Sequence, residues 1–148
     1  MSRSKHVLVT GAGGDIGSAI VQNFVSSGAT VTAVDIKSES EILNRYSKEQ
    51  QSSIKAVCLD LCDQKAVQDF FKETKPEEVY LAAAKVGGVH ANNTYPAEFI
   101  YENLIVQANV THQAVLSGVK KLIPIPIVIP RIREIIFLVF QSPKLLPI

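Results

Sequence analysis

Apolar and polar positions switch between two periods along this chain. A short β-type run, "HVLVT" (residues 6–10), meets a glycine cluster and then "DIGSAIVQNFVSSG", in which Ile16, Ile20 and Phe24 recur on one helical face with Ala19 between them. Gly28 stands where a helix stop is expected, and "TVTAVD" follows as a second β-type run. The pattern predicts a βαβ unit, and the alternation goes on. "SESEILNRYSKEQQ" is polar with a weak helical pattern, and "IKAVCLD" is a third strand candidate. "DQKAVQDFFKETKP" is an amphipathic helix grouping Ala66, Val67, Phe70 and Phe71, and "EEVYLAAA" is a fourth strand. "YPAEFIYENLIVQANVTHQAVLSGV" predicts a long helix that starts after Pro96 and stops at Gly118. Strands alternating with helices predict an α/β fold, a doubly wound parallel sheet in three layers.

The glycine cluster carries the chemistry. Gly11, Gly14 and Gly17 in "VTGAGGDIGSA" are spaced G-x-x-G-x-x-G between a strand and a helix. Gly11 permits the tight turn, Gly14 lets the backbone approach a pyrophosphate, and Gly17 lets the helix pack against the strand. The helix start then presents N–H groups and a positive dipole end to the anion. The second strand ends in Asp35, eighteen residues after Gly17, where a carboxylate can accept hydrogen bonds from ribose hydroxyls. These features together predict a Rossmann-type dinucleotide site built on Gly11, Ala12, Gly13, Gly14, Asp15, Ile16, Gly17 and Asp35. A carboxylate at Asp35 would repel a ribose 2′-phosphate and favours NAD over NADP, with Lys37 as partial compensation. Asp15 places a charge close to the phosphates, and two readings of it stay open: it points to solvent, or it caps the helix.

Composition narrows the partners. With a net charge of +1 and 20% charged residues, the chain lacks the basic excess that captures nucleic acid, and its 47% hydrophobic content argues against disorder. The longest C-terminal apolar runs, "IPIPIVIP" and "IIFLVF", fall far below the ~20 residues of a membrane helix. The apolar run near the N-terminus is too short for a signal-peptide core, so a cytoplasmic location is expected. Cys58 and Cys62 have no further cysteine or nearby histidine to complete a metal site and read as reduced structural thiols.

"TGAGGDIG" resembles the cofactor turn of the extended short-chain dehydrogenase/reductases, the nucleotide-sugar epimerases and dehydratases. Residues 60–122, with "LAAAKVGG" and "HANNTYPAEFIYEN", closely resemble the GDP-L-fucose synthases. The resemblance implies epimerisation and reduction of a GDP-4-keto-6-deoxymannose and an NADPH cofactor, against the NAD preference read from Asp35. It also places Asp60 and Leu61 near the adenine, and Leu81, Ala82 and Ala83 beside the ribose and phosphates. Lys85 and the loop "VGGVHANN" would face the nicotinamide and the sugar, with a solvated lysine as the competing reading. Asn103 and Asn109 resemble positions that hold loops near the cofactor, while His90 reads as a loop residue. The polar segment from Lys37 to Ser53 is longer than these enzymes carry.

The same resemblance implies a Tyr-x-x-x-Lys acid–base pair and a serine after the fifth strand. Tyr46 is followed at four residues by Gln50, Tyr80 by Ala84, Tyr95 by Phe99 and Tyr101 by Ile105. After "GVKKL" the chain reads "IPIPIVIPRIREIIFLVFQSPKLLPI", in which Pro124, Pro126 and Pro130 disfavour a central strand. The expectation is therefore an NAD(P)-binding domain over residues 1–122, truncated after about the fifth strand, and a divergent apolar tail over 123–148. No catalytic or metal-binding residue is assigned. In this reading the chain is the catalytically incomplete cofactor-binding part of a nucleotide-sugar reductase, binding a dinucleotide and a GDP-sugar. The competing reading is a non-enzymatic dinucleotide-binding or interaction module whose tail packs on a partner or in a homodimer.

Overall fold

A computed structural model describes residues 5–84 and 96–125. The elements in chain order are β1 (His6–Thr10), α1 (Asp15–Ser26), β2 (Thr30–Asp35), α2 (Glu39–Leu43), α3 (Lys48–Gln51), β3 (Ile54–Cys58), α4 (Gln64–Thr74) and β4 (Glu78–Leu81). The helix Pro96–Leu116, α5 here, and the strand β5 (Lys121–Pro124) complete the set. All strands are parallel, in the order β3-β2-β1-β4-β5. The chain thus moves outward from β1 to β3, returns to the far side of β1 and moves outward again. The order reverses between β1 and β4, and ligands of open α/β sheets bind at such a point.

Period-two alternation in the strands divides the core between two faces. Val7, Val9, Val31 and Ala33 pack with Val21 of α1, Ile42 of α2 and Tyr46. Leu8, Val34, Val79 and Leu81 pack on the opposite face with Val67 and Phe71 of α4 and Val106 and Val110 of α5. Helices therefore cover both faces of the sheet, as the alternating pattern predicted. Each fully buried Val, Leu or Phe side chain contributes about 1.5–3 kcal/mol relative to leaving it exposed.

The weakly periodic segment after β2 forms two short helices because each begins with a capping box. Ser38 pairs with Glu41, and Ser47 pairs with Gln50, each satisfying backbone N–H groups at a helix start. At the other end of the described chain, Pro124 is the last residue of β5, the outermost strand on that side among the described residues, where a missing N–H is tolerated. Ile125 N–H still donates to Leu81 O at 2.9 Å. Pro126 and Pro130, with the rest of residues 126–148, lie outside the described residues.

Lys75 caps α4 in a left-handed conformation with φ 44°. Glycine adopts this conformation at lower cost, although it gains entropy in the unfolded chain. Lys75→Gly is expected to stabilise the protein by about 0.5–1 kcal/mol, read from the urea unfolding midpoint.

Candidate functional site

The turn after β1 is held by close backbone contacts. Thr10 Oγ1 accepts a hydrogen bond from Ala83 N–H at 3.2 Å, which ties the ends of β1 and β4 together at the reversal of strand order. Gly11 follows with φ +70°, and a Cβ placed on it would lie 2.7 Å from Ala82 O. A Cβ on Gly17 would lie 2.0 Å from Gly11 O. Both positions require glycine, one for the turn and its approach to β4, the other for seating α1 on the turn.

The start of α1 differs from those of its neighbours. Ser38, Ser47 and Asp63 cap α2, α3 and α4 with side-chain acceptors. Gly14 caps α1 and has no side chain to offer, so the first N–H groups of this helix face the turn without a side-chain acceptor at the cap. Such an end favours an anion. Asp15, the first residue of α1, is not its cap: it points to solvent and pairs with Arg45, Nη2 to Oδ1 at 2.6 Å. Of the two readings left open by the sequence, the structure takes the solvent-facing one. Ile16 is exposed beside it.

Asp35 reaches the turn from the end of β2. Its Oδ2 accepts Gly13 N–H at 2.8 Å, and its Oδ1 accepts Lys37 N–H at 3.2 Å. Each oxygen retains acceptor capacity for a ribose hydroxyl. Lys37 Nζ lies over the same turn and donates to Gly13 O at 3.0 Å. Beneath it, Tyr46 donates its hydroxyl to Ala12 O at 2.7 Å. Burial pushes the Tyr46 phenol up to about 12, so the hydroxyl keeps its proton.

A cleft of about 550 Å³ opens at this edge of the sheet. Of the residues expected at the site, Gly11, Asp35, Asp60, Leu61 and Ala83 line it, while Ala12, Gly13, Gly14 and Gly17 build the turn beside it. Asp60 shapes the loop after β3 by accepting Cys62 N–H at 2.8 Å. Asn109 steadies the same loop, donating through Nδ2 to Leu61 O and Cys62 O at 2.9 and 3.2 Å. Asn103, almost fully buried, lines the cleft wall. Leu81 turns its side chain into the core, and Ala82 meets the turn through its backbone. Lys85 and His90 lie outside the described residues.

Sequence reasoning passed over Thr10, Ile36, Arg45 and Tyr46. Ile36 lines the cleft while 71% exposed, offering an apolar surface beyond the strand end. The signal for it was weak, since one isoleucine after a strand has no periodicity. Cys58 and Cys62 are free thiols. Among the described residues no group of three His, Cys, Asp or Glu side chains could hold a metal ion, and no helix is long and apolar enough to cross a membrane.

Residues 7–125 match the NAD dependent epimerase/dehydratase family. The chain belongs to that family. GDP-L-fucose synthase 1 of Arabidopsis thaliana is 44% identical over 121 residues, covering 82% of this chain and 32% of the relative. UDP-glucose 4-epimerase of Thermus thermophilus, solved in complex with NAD, superposes with a TM-score of 0.67 at 29% identity, over 79% of this chain and 36% of that one. A GDP-D-glycero-L-gluco-heptose synthase from Campylobacter jejuni, solved in the presence of NADPH, gives 0.63 at 36% identity, over 84% and 31%. The chain spans about a third of the length of the curated relatives it matches. As an epimerase/dehydratase family member it carries the glycine turn and strand-end acid at the carboxyl edge of β1 and β2.

Proposed function

We propose that this chain is the dinucleotide-binding portion of a nucleotide-sugar epimerase or reductase of the GDP-L-fucose synthase type. One observation carries the reading. The start of α1, capped only by Gly14, is seated on β1 by a Gly11–Gly17 contact too close for any side chain, with Asp35 turned onto the same loop. A pyrophosphate fits the N–H groups of that helix start, and the adenosine ribose fits beside Asp35. Ile36, Asp60 and Leu61 would take the adenine, and Gly11 and Ala83 the middle of the dinucleotide. Lys85 is assigned to the nicotinamide and sugar side on its likeness to the family position alone. When bound, the nicotinamide supplies hydride chemistry, while this chain's residues bind and orient it.

Among the described residues lining the cleft there is one tyrosine, Tyr101, and no lysine, so an acid–base pair is not assigned here. The sugar chemistry that the resemblance to GDP-L-fucose synthases implies, epimerisation and reduction of a GDP-4-keto-6-deoxymannose, therefore enters as the substrate class of the whole enzyme. Calorimetric titration of the folded chain with NADH and with NADPH tests the binding role. Saturable heat with at least one of them is expected; none with either from a folded sample would sink the proposal.

The cofactor preference follows from Asp35 and Lys37. A carboxylate within reach of the ribose disfavours a 2′-phosphate, and the Lys37 ammonium partly offsets it. NADH is expected to bind more tightly than NADPH. A hydrogen bond to a charged partner contributes about 1.5–3 kcal/mol, so Asp35→Ala should weaken NADH by roughly tenfold or more and NADPH less. An unchanged NADH/NADPH ratio in Asp35→Ala would remove Asp35 from the selection.

A further inference from the structure

Two successive peptide groups of the glycine turn are pinned at both ends. In the Ala12–Gly13 peptide, the N–H donates to Asp35 Oδ2 at 2.8 Å and the carbonyl accepts the Tyr46 hydroxyl at 2.7 Å. In the Gly13–Gly14 peptide, the N–H donates to Gly11 O at 3.0 Å and the carbonyl accepts Lys37 Nζ at 3.0 Å. Glycine-rich backbone flips its peptide planes easily, because no Cβ opposes the rotation. A flip of the Ala12–Gly13 plane would exchange the directions of its carbonyl and its N–H, changing which polar groups surround an anion at the α1 start.

Tyr46 is the pin that comes from furthest away. It belongs to the segment between α2 and α3, is 5% exposed, and stands in the core with Ile42 and Ala12. Its own backbone is held by Gln51, whose Nε2 donates to Tyr46 O and Leu43 O at 3.1 and 3.0 Å. The preceding residue, Arg45, grips the first turn of α1 through Asp15 Oδ1 and Ser18 Oγ at 2.6 and 3.3 Å. Adjacent residues thus hold the turn at Ala12 and the helix it leads into. Because the Ala12 carbonyl is buried, loss of the hydroxyl would leave an acceptor without a donor, and rotation of the plane is the available relief.

We propose that Tyr46 is a positioning residue for dinucleotide binding, its hydroxyl locking the Ala12–Gly13 peptide plane in the orientation that receives the pyrophosphate. The inference rests on reading the turn as a dinucleotide site. Tyr46→Phe keeps the ring's packing and removes only the donor. In the full chain this variant should bind NADH about tenfold more weakly. Residues 11–17 should exchange amide hydrogens roughly tenfold faster, while β1 and β2 keep their protection. Lower stability with unchanged NADH affinity, or unchanged exchange in residues 11–17, would overturn the proposal and leave Tyr46 a core residue. If Tyr46→Phe does not fold, Gln51→Ala loosens the same pin from behind. It should shift affinity and turn exchange in the same direction by about threefold, and no shift in either overturns the inference. Failure of the wild-type chain to bind NADH or NADPH would instead overturn the site reading itself and this inference with it. That result is told apart because it appears before any substitution.

Discussion

Gly17→Ala is expected to destabilise the protein by about 2–4 kcal/mol and to weaken NADH binding by roughly 100-fold. The new Cβ would sit 2.0 Å from Gly11 O, where contacts under 3.0 Å essentially never occur, so helix and turn must separate by at least about 1 Å. Neither side yields cheaply. Gly11 is fixed against Ala82 by its own close approach, and α1 is anchored in the core by Val21. The separation therefore falls on the peptide groups that would face the pyrophosphate. Gly14→Ala is the informative control for stability, because its Cβ would meet Gly11 O at 3.3 Å, a contact relieved by a shift of a few tenths of an ångström, even though its place at the pyrophosphate exposes its affinity to change. Urea unfolding and calorimetric titration of both variants decide the point. Wild-type stability and affinity in Gly17→Ala would remove the helix–turn contact from the account of the site.

Local chemistry explains why some of this could be read in advance. "HVLVT" and "TVTAVD" match β1 and β2 residue for residue, because each is a β-rich run closed by a turn signal. The glycine spacing was legible because only glycine satisfies the Gly11 and Gly17 contacts, so the need is written into the residue type. What stayed hidden depends on partners distant in sequence. Tyr46 acts on Ala12, thirty-four residues away, and nothing in "LNRYSKEQ" announces it. Asp15 could be placed only once Arg45 was seen beside it. The weak periodicity of "SESEILNRYSKEQQ" understated its order, since α2 and α3 rest on capping boxes and on Ile42 and Tyr46 rather than on an apolar stripe. Leu81, placed beside the cofactor by the family resemblance as a backbone contact, turns its side chain into the core, in keeping with period-two alternation along β4.

Phe71→Ala should cost about 3–5 kcal/mol, a large share of the roughly 5–15 kcal/mol that stabilises a domain. Phe71 is fully buried and meets the Phe70 ring edge-on, with centroids 5.9 Å apart and planes at 85°. It joins Leu8 and Val79 of the sheet to Val110 of α5, so its removal opens a cavity bounded by three elements. The position lies seven residues into α4, about 10 Å along the axis from the cleft-side start of that helix. It is also absent from the cleft lining. The variant should therefore lose stability without losing the site. Once corrected for the folded fraction, its NADH affinity is expected within about threefold of wild type, because binding to the native state alone adds to stability by mass action and leaves the native site's own affinity unchanged. Urea unfolding followed through the transition, with titration at a temperature where the variant remains folded, separates the two quantities. An unfolding cost under about 1 kcal/mol would contradict the packing assigned to α4. A hundredfold affinity loss in the folded variant would mean that the core under α4 sets the cleft through Leu61 and Val106, which belong to the same cluster as Phe71 and also line the cleft.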